Sequence, residues 1–277
     1  MRTIQIHEIT AAVRDLFIHA NYVLPCDVEQ ALQSAGQNET DPTAGTMLGI
    51  ICDNALAARN GVPICQDTGM AVVFAEIGQD VHLEGGLFAD AVNEGVRMAY
   101  RDGYLRKSVV SDPLIRVNAG DNTPAVLYTE LVEGDKITLH ALPKGFGSEN
   151  MSRQIMLNPT ASTEDIVAFV AETVRVAGGN PCPPLVIGVG IGGTFDYSAV
   201  LAKKALLREI GAHHPTHADL EQAILAAVNQ TGVGVQGLGK GVTALWVSVE
   251  TYATHIAGLP VAVNISCHAT RHASAVI

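Results

Sequence analysis

Apolar residues recur at helical spacing through residues 1–61. Ile6, Ile9, Val13, Leu16 and Phe17 fall on one face, Val28, Ala31 and Leu32 repeat the spacing after Pro25, and Ala44, Met47, Leu48, Ile51, Ala55 and Ala58 make the clearest stripe. Asn60-Gly61 then supplies a helix terminator and delivers the chain to Pro63-Ile64-Cys65-Gln66-Asp67-Thr68-Gly69. Beyond this point strands enter the pattern. Met70–Ile77 predicts a strand, and Gly85-Gly86 introduces a helix reaching about Tyr100. Ala125–Val132 and Lys136–Leu142, joined by Glu133-Gly134-Asp135, predict a hairpin. A helix over Thr163–Val176, a strand over Leu185–Val189 and a loop over Gly190–Thr194 follow. Helices over Phe195–Glu209 and His217–Asn229 precede strands at Val242–Val249 and Ala262–Ile265. The pattern is that of a mixed α/β protein: a helical section over 1–61, then an α/β section over 62–277, in one domain without repeats or long linkers.

Composition narrows the class. Hydrophobic residues at 48% and charged residues at 16% describe a folded globular chain. Seventeen basic against 28 acidic residues leave a net charge of -11, which repels polyphosphate and argues against nucleic acid. The first residues interrupt their apolar positions too often for a signal peptide, and no apolar run approaches the ~20 residues of a membrane span. A soluble, cytoplasmic protein is expected.

The five cysteines, Cys26, Cys52, Cys65, Cys182 and Cys267, are odd in number, widely spaced and without a Cys-x-x-Cys pair. They form neither a disulfide framework nor a zinc ribbon, so any metal site must be assembled from distant segments. Cys65 shares its turn with a carboxamide, a carboxylate and a hydroxyl, a donor set suited to a metal. Cys182 is mounted between Pro181 and Pro183-Pro184, which restrict the backbone and remove local N–H donors. Cys267 follows a predicted strand. Cys52 inside a helix reads as packed, and Cys26 near a helix start reads as structural. The loop Pro143-Lys144-Gly145-Phe146-Gly147-Ser148-Glu149-Asn150 reads either as a flexible connection or as a backbone-amide nest for a carboxylate.

Two nucleotide motifs are incomplete. Gly188, Gly190 and Gly193 satisfy G-x-G-x-x-G between a strand and a helix, but the next strand, which would end in a ribose-binding acid, is missing. A nicotinamide-dependent dehydrogenase using this loop is the alternative of a different class. Gly234–Lys240 matches the start of a phosphate loop, yet Gly241 stands where a magnesium-binding hydroxyl is required.

Ile-Cys-Gln-Asp-Thr-Gly around Cys65, Cys-Pro-Pro at Cys182, Cys267 after its strand and Lys-Gly-x-Gly-Ser-Glu-Asn at 144–150 together resemble the α subunit of iron-sulfur hydro-lyases, the class I fumarases and L(+)-tartrate dehydratases. The resemblance runs from the helix at Thr43 to near the C-terminus. It implies that Cys65, Cys182 and Cys267 hold a [4Fe-4S] cluster with one iron open, and that this iron polarises a substrate C–O bond as a Lewis acid. It implies that Asp67 handles a proton and that His255, twelve residues before Cys267, is an active-site histidine. It also implies that Gln66 contacts substrate and that Arg106 clamps a carboxylate, and it places Lys144 and Gly147, as substrate-binding candidates, in the loop that carries the resemblance. The implied reaction is reversible hydration of fumarate to (S)-malate. Tartrate dehydration or mesaconate hydration is the alternative, since Phe146 replaces a glycine common in fumarase versions of the loop. The chain ends ten residues after Cys267, so the family's remaining basic groups are expected on a separate β subunit, most simply in an α2β2 assembly.

Overall fold

The computed structural model describes residues 1–277. In chain order its elements are β1 (Arg2–Gln5), α1 (Ile6–Tyr22), α2 (Cys26–Asn38), α3 (Pro42–Ala58), β2 (Met70–Gly78), β3 (Val81–Glu84) and α4 (Phe88–Asp102). Then come β4 (Val126–Val132), β5 (Ile137–Lys144), α5 (Phe146–Glu149), β6 (Arg153–Leu157), α6 (Thr163–Ala177), β7 (Leu185–Gly193) and α7 (Phe195–Lys204). The chain finishes with α8 (Ala218–Asn229), β8 (Ala244–Thr254), β9 (Leu259–Ser266) and β10 (Ala273–Val276). The mixed α/β class holds. Residues cluster into two compact units that alternate along the sequence: Met1–Pro25, Ala55–Phe146 and Arg271–Ile277 form the first, Cys26–Asn54 and Gly147–Thr270 the second. The helical section over 1–61 is therefore divided between them, and each unit has its own buried core.

The first unit holds a four-stranded sheet in the order β10-β5-β2-β4. Here the expected hairpin is corrected. The two strands flanking Glu133-Gly134-Asp135 do not pair with each other, because β2 lies between them, parallel to β4 and antiparallel to β5. Burial explains the insertion. From Ala71 to Ala75 every residue of β2 is buried, which suits a strand covered on both faces, whereas β4 is mostly part-exposed and takes the edge. The turn itself forms, but it wraps the end of β2: Gly78 N donates to Lys136 O (2.8 Å) and Asp80 N to Gly134 O (2.9 Å). Helices α1 and α4 cover the sheet through Val13, Phe17, Val96 and Ala99 against Val73 and Leu139. They approach closely at Gly95, where a Cβ would come within 2.7 Å of Thr10 O.

The second unit holds a sheet in the order β6-β9-β7-β8, with β9 antiparallel to both neighbours and β7 parallel to β8. Strand β7 alternates by side: Ile187 and Val189 pack with Val170 and Val174 of α6 and Ile224 and Val228 of α8. Gly188 and Gly190 point the other way, where a Cβ would collide with the main-chain oxygens of Ala202 and Ser198 in α7. The glycines thus let α7 lie directly on the strand. They sit within β7, which runs on to Gly193, and form no phosphate-binding turn, contrary to the loop expected over Gly190–Thr194.

Candidate functional site

Strand directions decide which residues meet. In the first unit Met70 pairs with Lys144 and Ala273 with Ala141, so the start of β2, the end of β5 and the start of β10 share one sheet end. The start of β4 joins them through Val72 paired with Val126. The loop Cys65–Gly69 enters at this end and is held by its main-chain oxygens. Arg271 Nη2 donates to Asp67 O. Tyr100 Oη lies 2.7 Å from Thr68 O and 2.8 Å from Gly69 O, and Asn122 Nδ2 donates to Gly69 O at 3.2 Å. Burial pushes the Tyr100 hydroxyl pKa up, so it remains a neutral donor across the working pH range.

Side chains of the loop are equally committed. Asp67 Oδ1 accepts from Gly69 N (3.0 Å) and Oδ2 from Phe146 N (2.8 Å). Thr68 Oγ1 donates to Arg106 O (2.9 Å), which ties the Arg106 segment to the loop while the Arg106 residue itself stays exposed. Gly69, at φ +78°, packs against the Pro143–Lys144 backbone, where a Cβ would fall 2.8 Å from Lys144 N. Lys144 is buried, with Nζ 3.3 Å from Gly145 O. Cys65 Sγ lies 3.3 Å from Gln66 Oε1. Thus Cys65, Gln66, Asp67, Arg106 and Lys144 are gathered around one sheet end.

The second unit repeats the principle. Cys182 precedes β7 and Cys267 follows β9, and because these strands are antiparallel, with Val186 opposite Ser266, both cysteines lie at the same end. His268 N donates to Cys182 O at 3.3 Å, and His268 Nδ1 lies 3.0 Å from the same oxygen. Cys182 is exposed and adopts φ +56°, a left-handed conformation that costs energy outside glycine. Gln236, also left-handed at φ +52°, braces the mount: its N and Nε2 donate to Pro183 O at 2.9 and 2.6 Å. The glycine-rich segment 232–241, which resembled a phosphate loop, packs behind Cys182 with Gly237 against Gly179. Its own amides turn inward, Val235 N to Lys240 O at 2.7 Å. Gly147 joins this end, with Asn180 O 3.8 Å from its Cβ position. Glu149 accepts from Lys203 Nζ (2.5 Å) and Asn264 Nδ2 (3.0 Å) nearby.

His255 lies elsewhere in the unit. It follows β8 at the opposite sheet end, and the eight residues of β9, roughly 25 Å of strand, separate that end from Cys267. The structure does not bring His255 to the two cysteines beside it in sequence order. None of the five cysteines is in a disulfide, and no three His, Cys, Asp or Glu side chains are grouped as a metal site. Cys26, expected to be structural, is exposed, and Cys52 is half-buried, with burial, Asp53 and Glu29 all pushing its thiol pKa up. Sequence reasoning missed Tyr100, Asn122, Gln236, His268 and Arg271. Of these, only the His-Ala-Thr-Arg run directly after Cys267 carried a local signal; the others act through backbone oxygens far away in sequence.

Fold and sheet-end geometry describe an α/β protein that presents cysteines and polar side chains from rigid loops. A sequence model of the fumarate hydratase (fumerase) family matches residues 10–276. A Methanocaldococcus jannaschii protein, provisionally named L(+)-tartrate dehydratase subunit alpha, is 42% identical over 276 residues, 96% of each chain. The L(+)-tartrate dehydratase subunit alpha of Escherichia coli O157:H7 is 30% identical over 279 residues, 98% of this chain and 91% of its own. That of Escherichia coli strain UTI89 is 31% identical over 273 residues, 96% of this chain and 89% of its own. The chain belongs to the fumarate hydratase family of hydro-lyases.

Proposed function

We propose that this chain is the α subunit of a [4Fe-4S]-dependent hydro-lyase that hydrates fumarate to (S)-malate reversibly. The observation that carries the reading is the convergence of Cys182 and Cys267 on a braced mount, in a chain matched over 10–276 by the family. The donor chemistry fits a cluster: Cys65, Cys182 and Cys267 all stand on loops at sheet ends, and none is lost to a disulfide. When bound, the cluster supplies an open iron that acts as a Lewis acid on the substrate hydroxyl, without electron transfer.

The chain's own residues bind and orient. Arg106 offers an exposed guanidinium to a carboxylate, and Gln66 and Lys144 add polar contacts from the same sheet end. Asp67 handles the proton, its carboxylate held in one orientation by the N–H groups of Gly69 and Phe146. Dehydration of L(+)-tartrate is the second reading, favoured by the names of the relatives. The β subunit supplies the remaining cations.

The test is anaerobic reconstitution. The wild-type chain is expected to take up iron and sulfide and to show broad visible thiolate-to-iron absorption. Serine at Cys65, Cys182 or Cys267 abolishes it; serine at Cys26 or Cys52 does not. Stable zinc binding without iron or sulfide would overturn the reading. Side-by-side assays with fumarate, tartrate and mesaconate then order the substrates, and a tartrate rate far above the fumarate rate would put tartrate first.

A further inference from the structure

Arg271 begins the last segment of the first unit, two residues ahead of β10, and is only 4% exposed. A guanidinium carries five N–H donors and stays charged at any physiological pH. Here Nη2 donates to Asp67 O, whereas Nε and Nη1 are shut off from water and meet no acceptor. Nε has one hydrogen and Nη1 two, so three of the five donors are idle. A buried cation left this way is strongly unfavourable unless an anion completes it.

Arg271 makes no ion pair, and its Nε and Nη1 have no hydrogen-bond partner. The nearest carboxylate along the loop, that of Asp67, accepts from Gly69 N and Phe146 N. Nor does the loop itself need so many donors. Tyr100 and Asn122 already serve Thr68 O and Gly69 O, and one N–H suffices for Asp67 O. Asparagine or glutamine could provide that single bond. The surplus calls for a ligand with several acceptor oxygens and negative charge.

We propose that Arg271 is a carboxylate-binding residue: its Nε and Nη1 donors take one carboxylate of the dicarboxylate substrate while Nη2 stays on Asp67 O. Occupancy is thereby coupled to the loop that carries Cys65, Gln66 and Asp67. The substrate class rests on the hydro-lyase reading; the need for an anion does not. Cys65 and Asp67 are half-buried and Gln66 is exposed, so entry proceeds past the loop with a local opening at Arg271.

Succinate, a dicarboxylate with no bond to hydrate, tests binding apart from turnover. Titration calorimetry on the full 277-residue chain compares wild type with Arg271→Gln and Arg271→Lys. Arg271→Gln is expected to weaken succinate binding ~10- to 100-fold, the loss typical of a charge-assisted hydrogen-bonded pair. Its thermal midpoint should stay level or rise, because an uncompensated buried charge has gone. Arg271→Lys keeps the charge and should lie between the two. Equal succinate affinity in wild type and Arg271→Gln, or no binding by wild type, overturns the proposal. Should Arg271→Gln not fold, unchanged affinity in Arg271→Lys does so instead. Arg271-dependent succinate binding in a cluster-loaded chain that stays without hydro-lyase activity when co-expressed with the β subunit would sink the reaction but keep the site. An active assembled enzyme whose KM is unmoved by Arg271→Gln would do the reverse.

Discussion

Single residues in this chain divide into those that build the loops and those that those loops present, and substitutions separate the two. A Cβ at Gly147 would meet only Asn180 O, at 3.8 Å, an ordinary van der Waals contact. Gly147→Ala should leave the urea midpoint unchanged within the error of about 0.5 kcal/mol expected for a tolerated site, so any change in KM reports substrate contact. Gly190→Ala drives a methyl into the Ser198 carbonyl in α7 and should destabilise by about 1–3 kcal/mol, read from the same urea transition. Asp67→Asn addresses chemistry. It keeps the size of the carboxylate but turns one acceptor into a donor facing a main-chain N–H. The cluster absorption should survive while turnover falls ~10²-fold or more. Joint loss of absorption and activity would make Asp67 a brace for the loop and no more.

Elements show where sequence reading succeeds and where it stops. Helix α3 and the terminator after it were legible because a single 3.6-residue stripe ends at Asn60-Gly61, and the observed helix is Pro42–Ala58. The order of strands was not. Local alternation cannot report that β2, distant in sequence, inserts between β4 and β5, because that choice is made by burial on both faces. Cys65 and Cys182 were visible from their turn and proline neighbours and Cys267 through the family resemblance, but the donors gripping the loop, Tyr100, Asn122 and Arg271, act at separations that only the sheet ends create. Another long-range device joins α8 to β8 in the second unit. The Glu221 carboxylate accepts from Val249 N (2.8 Å), His213 Nδ1 (2.9 Å), His214 N (3.0 Å) and Arg208 Nη1 (2.5 Å). Burial pushes its pKa up, but these donors outweigh burial and hold it below the usual glutamate value. A depressed carboxylate stabilises the fold above its unfolded pKa, near 4.5, and loses that contribution as pH falls through the folded value. Glu221→Gln should therefore cost about 3 kcal/mol at pH 7, with a shallower decline than wild type on acidification, measured by denaturant unfolding from pH 3 to 7. Parallel pH profiles would show that Glu221 does not carry the acid sensitivity.

At the scale of the whole molecule, charge and exposed surface bear on the proposed second polypeptide. A small dicarboxylate brings two negative charges, and enclosing them requires cations at both ends. The residues proposed for the site offer Arg106, Lys144 and Arg271, in a chain of net charge -11. The segment that follows Arg106 exposes apolar side chains: Leu114 is 90% exposed, as is Tyr104 just ahead of Arg106, and Ile115 and Val117 are exposed beside Leu114 in the chain. This segment is built and not frayed. Asp112 Oδ1 caps Leu114 N and Ile115 N at 2.8 and 2.7 Å, and Asn122 Oδ1 accepts from Ser108 N at 2.7 Å and Val109 N at 3.2 Å. Apolar side chains held outward by such hydrogen bonds, in the segment that follows the arginine proposed to bind substrate, are suited to being covered by the proposed second subunit. No helix is long and apolar enough to cross a membrane, so lipid-spanning helices do not account for this surface. The expected outcome is that the purified chain binds the cluster but turns over neither fumarate nor tartrate at a useful rate, and self-associates on a sizing column. Co-expression with the β subunit should restore dehydration and yield one α/β species, α2β2 by mass. Full turnover from the rigorously purified 277-residue chain would show that it supplies every cation the reaction needs.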